Sequence, residues 1–161
     1  MSEIKIREAA KDDLPEIIRI LADDTLGSQR EDYRLPLPQC YIDAFNNISK
    51  DENSILLVVC TDGKVIGSMQ ITFTQYLSHR GSLRATFENI RIAQDFRGSG
   101  IGTRLLKHAI DIAKNKNCSI VQLTTNKSRT DAHGFYQRLG FRASHEGMKL
   151  SLEQYNNGSE N

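Results

Sequence analysis

Asp95-Phe96-Arg97-Gly98-Ser99-Gly100-Ile101-Gly102-Thr103 is the stretch that decides this fold. It follows an apolar run with strand character, Arg84–Ile92. It opens a run with helical spacing, Gly100 to Lys116, in which Ile101, Leu105, Ala109 and Ile112 form one stripe with Leu106 and Ala113 beside it. Glycines at a helix start let the chain turn tightly and leave several N–H groups without partners. Those donors and the helix dipole together make an anion site, and diphosphate is its commonest occupant. Arg97 adds a fixed positive charge at the mouth, and Arg104 and Lys107 follow on the first turns. The alternative is a glycine-rich turn that does no more than start a helix. A P-loop would need a lysine before Thr103, where Gly102 stands. A dinucleotide fingerprint would need glycine at Thr103 and an acid about 20 residues on, but no Asp or Glu occurs from Ile112 to Thr130.

Upstream, Ile4 and Ile6 mark a short first strand. Asp12-Asp13-Leu14-Pro15 opens a helix whose stripe is Leu14, Ile17, Ile18 and Leu21. Residues 23–39 are polar and carry Gly27, Pro36 and Pro38; they read as a loop that either covers a site or only connects. A short helix runs through Tyr41, Ile42 and Phe45. Ile55–Cys60 and Val65–Phe73 are then joined by Thr61-Asp62-Gly63-Lys64, and Asp-Gly between apolar runs signals a type I′ hairpin. Alternation places Val65, Gly67, Met69, Ile71 and Phe73 on a buried face and Ser68, Gln70 and Thr72 on a polar one.

Downstream, Ile120–Leu123 is a fifth strand. A helix from Thr130 to Leu139 buries Ala132, Phe135, Tyr136 and Leu139, and Gly140 closes it with Phe141 as the apolar contact. A last strand is expected around Met148–Leu152. The expected order is β-α-α-β-β-β-α-β-α-β, an α/β arrangement with a hairpin-linked first half and a helical crossover in the second. One domain over residues 1–155 and a disordered tail at 156–161 complete this reading.

Composition narrows the function classes. The 161 residues carry 21 basic and 20 acidic side chains, a net charge of +1, which argues against nucleic acid as a partner. The longest apolar run, Ile55 to Cys60, is far too short to span a bilayer, so no membrane partner is expected. Met1 to Glu8 alternates charged and apolar residues and has no signal-peptide core. Cys40, Cys60 and Cys118 are scattered without ligand spacing, and His79, His108 and His145 add none; no metal is expected, and the cytoplasm is the expected compartment.

Arg97-Gly-Ser-Gly100-Ile-Gly102, the preceding strand Thr86 to Ile92, and Ala132 to Phe141 with its Phe135-Tyr136-x-x-Leu139-Gly140-Phe141 together resemble the GNAT superfamily of N-acetyltransferases. The resemblance covers nearly the whole chain in motif and element order. It implies the GNAT-like acyl-CoA N-acyltransferase fold, an α/β structure with a mixed, mostly antiparallel central sheet and flanking helices. It implies acetyl-CoA as cosubstrate, with the diphosphate on Gly98, Ser99, Gly100, Ile101, Gly102 and Thr103 beside Arg97. The pantetheine arm would lie along Ile90, Arg91 and Ile92, where the fourth and fifth strands splay. Asn126 is the expected amide contact, although the family's asparagine usually stands where Arg129 is here.

Acetyl transfer needs a base for the amine and an acid for the departing thiolate. Glu88 is the expected base, acting directly or through a water; alternation groups it with Thr86, Ile90 and Ile92, and many family members carry an acid there. The other role open to it is that of a structural carboxylate. Tyr136, in the buried stripe of its helix, is the expected acid, the family often placing this tyrosine beside the CoA sulfur; a core tyrosine is the alternative. His133 reads as a surface residue.

The expected acceptor is a primary amine of a small molecule. The run Leu123 to Tyr136 is similar to that of aminoalkylphosphonate acetyltransferases. Together with Arg30, Arg34, His79, Arg80 and Arg84 near the expected acceptor side, it favours an anionic amine. A peptide N-acetyltransferase and a non-enzymatic acyl-CoA sensor are the competing readings, and a homodimer is left open.

Overall fold

The computed structural model describes residues 2–158. The chain divides into two compact units, Met1–Leu123 and Thr124–Asn161, each described by itself.

In the first unit β1 (Ile4–Glu8) leads through a 3-10 turn, Lys11–Asp13, into α1 (Leu14–Leu21). Arg7 grips Asp13 with two hydrogen bonds, at 2.7 and 3.0 Å, and so ties the strand to the helix start. Those bonds hold the Asp13 carboxyl below its ordinary range, against the opposing effect of burial. Pro15 sits in the first turn of α1, where a missing N–H costs nothing.

The polar stretch expected as a loop contains a helix, α2 (Thr25–Arg30), capped by the Asp24 side chain on the Gly27 amide. α3 (Gln39–Lys50) extends the short helix expected through Tyr41. β2 (Ser54–Thr61) and β3 (Lys64–Gln75) form the expected hairpin, with Asp62 at φ 48 and Gly63 at φ 75. A one-turn segment, α4 (Ser78–Gly81), leads into β4 (Leu83–Ile92). The glycine loop then opens α5 (Ile101–Asn115), followed by β5 (Ile120–Leu123).

The five strands lie in sequence order. Every neighbouring pair is antiparallel except β4 and β5, which run parallel across the α5 connection. α1 packs on β3 and β4, α3 on β2, and α5 on β4.

Two register shifts reset the faces that simple alternation assigns. Val59 pairs with Gly67 but Cys60 pairs with Val65, so Ile66 is the extra residue. Val65 thereby leaves the face of Gly67 and Met69. It joins Val58, Cys60, Ile17 and Ile20 in a cluster under α1, a correction to the expected grouping. In β4, Gln70 pairs with Glu88 while Ser68 pairs with Arg91, so a step of two on β3 matches a step of three on β4. Asn89 takes φ 53 there, a left-handed geometry that asparagine tolerates better than most side chains. Glu88 therefore shares a face with Thr86 and Gln70. Ile92 pairs with Gly67 and faces the other way, contrary to the alternation reading.

In the second unit α6 (Thr130–Arg138) ends as expected. Gly140 is left-handed at φ 97, its N–H donates to the Gln137 carbonyl, and the Phe141 N–H donates to that of Tyr136. The Phe141 ring meets Tyr136 edge-on, with centroids 5.9 Å apart. The strand expected at Met148–Leu152 does not form. Residues 141–151 are irregular, with Met148 95% and Leu150 67% exposed. A helix, α7 (Leu152–Gly158), follows; it takes in the start of the tail expected to be disordered, and residues 159–161 lie outside the described ones.

Candidate active site

The glycine loop is built as an amide cradle. Gly98 (φ 74) and Gly100 (φ 82) are left-handed, and a Cβ at either would meet open space, so these glycines serve backbone geometry and access rather than packing. Gly100 is the N-cap of α5, and the Arg104 N–H closes the first turn on its carbonyl. Among the described residues no acceptor takes the amide hydrogens of residues 100–103. Arg97 donates from Nε to the Ile92 carbonyl (3.0 Å), anchoring its guanidinium to the end of β4. Arg104 turns away and reaches the Ile4 carbonyl at 3.4 Å.

β4 offers a second surface. Its pairing with β5 runs from Arg84 opposite Ile120 to Phe87 opposite Leu123 and stops there, while β4 continues to Ile92. On its β5 side, Glu88–Ile92 is therefore a stretch of β4 without a β5 partner, in which Arg91 and Arg97 side chains take the Ile90 and Ile92 carbonyls. It lies between the bulge at Asn89 and the loop at Arg97, and it includes Ile90, Arg91 and Ile92.

Glu88 is solvent-exposed, not set among apolar neighbours as alternation implied. Its cross-strand partner is Gln70. Arg91 reaches back to the Ile90 carbonyl at 2.9 Å and approaches Asp24 at 4.0 Å. In the second unit, Tyr136 is half-buried between the rings of Phe135 and Phe141. The Asn126 side-chain carbonyl accepts from both the N–H and the hydroxyl of Ser128. His133 is half-buried rather than on the surface, with Nε2 at 3.2 Å from the Asn126 carbonyl.

A cavity of about 200 Å³ is lined by Gln70, the cross-strand partner of Glu88, by Asn89, the residue after it, and by Ser68. α1 contributes Ile17 and Ile18, and α3 contributes Phe45 and Ile48. Glu31 and Tyr41 supply its polar wall: Tyr41 accepts from the Asp32 N–H at 2.9 Å and donates to Glu31 Oε1 at 3.2 Å. Burial pushes the Tyr41 phenol above its ordinary value.

None of the arginines expected to frame an anionic acceptor lines this cavity. Arg34 pairs with Asp32 at 3.1 Å, and Arg84 lies over the Tyr76 ring at 4.5 Å. His79 and Arg80 sit exposed in the left-handed turn of α4, and Arg30 is exposed on α2. Sequence reasoning missed Glu31 and Tyr41 as neighbours. The only signal was that the segment between the first helix and the hairpin was long enough to cover something.

Residues 22–141 match the profile of the acetyltransferase (GNAT) family. The aminoalkylphosphonate N-acetyltransferase of Salmonella typhimurium is 26% identical over 145 residues, covering 90% of this chain and 89% of its own. A crystal structure of a transcriptional regulator from Bacillus halodurans is 48% identical with a TM-score of 0.91, covering 93% of this chain and all of that one. A predicted acetyltransferase from Clostridium acetobutylicum, solved with acetyl-CoA, has a TM-score of 0.74 at 19% identity; it covers 94% of this chain and 98% of its own, and shows the fold alone.

Proposed function

Because this chain belongs to the GNAT acetyltransferase family, whose cosubstrate is acetyl-CoA, we propose that it transfers acetyl from acetyl-CoA to the primary amine of a small molecule. The observation that carries this reading is a pair of backbone surfaces on one connection. One is the set of amides of residues 100–103 at the start of α5, and the other is the part of β4 beyond Phe87, where pairing with β5 has ended. The amides and the α5 dipole suit a diphosphate, with Arg97 as the fixed charge. The Ile90–Ile92 edge suits the amides of a pantetheine arm, which can pair with it as a short strand would. Asn126, its side-chain carbonyl engaged by Ser128, is the amide contact that the family resemblance suggests for the cosubstrate.

In the reaction the amine nitrogen bonds to the thioester carbonyl carbon and the carbon–sulfur bond breaks. Glu88 takes the proton that the amine sheds, directly or through a water. Tyr136 gives its phenolic proton to the departing thiolate and is restored from solvent. The free cysteines fit a reducing compartment, and we place the reaction in the cytoplasm.

Calorimetry with acetyl-CoA tests the reading. The expected affinity is roughly micromolar and weakens with salt. Gly100→Glu places a negative side chain at a left-handed position of the cradle and lowers affinity at least about 100-fold, with circular dichroism unchanged. Unchanged affinity in the folded variant would refute the loop assignment.

A further inference from the structure

We propose that the acceptor is a cationic monoamine with a compact apolar body, and that Glu31, held by Tyr41, is the residue that selects it over anionic amines. This inference rests on the acetyltransferase reading and names the substrate class for the cavity lined by Gln70 and Asn89.

The cavity walls decide the body. Ile17 and Ile18 of α1 face Phe45 and Ile48 of α3 across a volume of about 200 Å³. An apolar cavity of roughly 150 Å³ already admits benzene, so this one takes a phenyl ring or short branched alkyl chain with a linker. A phosphonate or carboxylate in that space would lose its hydration with no cation to replace it, a large cost. Among the described residues lining the cavity, Glu31 is the single charged group.

The carboxylate is also held in place. The Tyr41 hydroxyl accepts from the Asp32 N–H and spends its own proton on Glu31 Oε1, so both of its hydrogen-bonding capacities fix the wall. Amines arrive protonated at neutral pH, and a fixed carboxylate attracts them while repelling anionic competitors. Asn89 and Gln70, the chain and cross-strand neighbours of Glu88, line the same cavity, where the amine must lose its proton before attack.

The experiment is a CoA-release assay at saturating acetyl-CoA with phenethylamine, isopentylamine, 2-aminoethylphosphonate, glycine and spermidine. Ligand-observed NMR of phenethylamine on the unreacted protein runs beside it. The expected result is a kcat/KM for the apolar monoamines at least about tenfold above the others, with NMR contact to the ring. Glu31→Gln raises the KM for phenethylamine about five- to tenfold with little change in kcat, and Glu31→Lys narrows or inverts the gap to the phosphonate. Ala44→Phe, a cavity-lining and solvent-exposed site on α3, fills the space and removes the NMR contact. The inference is overturned if the phosphonate, glycine or spermidine leads, if the apolar amines are not turned over, or if Glu31→Lys leaves the ranking unchanged. Acetyl-CoA calorimetry on the same samples separates these outcomes from failure of the acetyltransferase reading.

Discussion

The two halves of β4 are built on opposite terms. From Leu83 to Phe87 the strand is hydrogen-bonded on both sides, and Ala85 and Phe87 are essentially excluded from solvent. Side chains reinforce the pairing, since Gln122 on β5 donates to the Thr86 hydroxyl at 3.2 Å. From Glu88 to Ile92 the β5 partner is gone, the backbone bulges at a left-handed Asn89, and Glu88 and Asn89 are exposed. One half is paired through its backbone on both sides; in the other, side chains of Arg91 and Arg97 take the Ile90 and Ile92 carbonyls in place of a β5 partner.

Phe87→Ala breaks the contrast from the stable side. It empties a site only 1% exposed, and the unfolding free energy in urea should fall by about 3–5 kcal/mol. Glu88→Gln, the next residue, should do the reverse: stability stays within about 0.5 kcal/mol while kcat drops roughly 100-fold with little change in acetyl-CoA affinity. If Glu88→Gln unfolds the protein or leaves turnover intact, the division at Phe87 is misplaced. The smallest effect sharpens the boundary itself. Asn89→Val puts a β-branched residue at φ 53 and should cost about 1–2 kcal/mol, whereas Asn89→Gly should stay within about 0.5. Equal costs for the two would mean that residue 89 does not adopt the bulged geometry in solution.

Much of this fold is readable from local pattern, because local chemistry dictates it. The Asp62-Gly63 turn, the Gly140 helix stop and the glycine loop before α5 each follow from backbone conformations that few other residues adopt cheaply. Apolar spacing of 3.6 found α1 and α5 with their buried sides; it also located α6, whose expected buried residues Ala132, Phe135, Tyr136 and Leu139 are only half-buried. Where the readings failed, either a partner strand reset the alternation, as in β3 and β4, or polar composition hid a short local element. Met148–Leu152 has strand composition, yet residues 141–151 are irregular and Met148 and Leu150 are exposed. The helix Thr25–Arg30 is short, and its cap, Asp24, sits in a polar stretch that reads as loop.

The candidate site divides along the same line. The sequence by itself determined the amide cradle and the chemical candidates Glu88 and Tyr136, since a glycine-rich helix start and a titratable residue type are properties of neighbouring residues. Only the tertiary structure decided which face Glu88 shares, because the bulge at Asn89 resets alternation through pairing with β3. It alone set the end of β5 pairing at Phe87. It alone brought Glu31 and Tyr41 to the wall of an apolar cavity while leaving the arginines elsewhere. Those outcomes depend on packing between helices and strands far apart in the chain, and no periodicity within one segment encodes them.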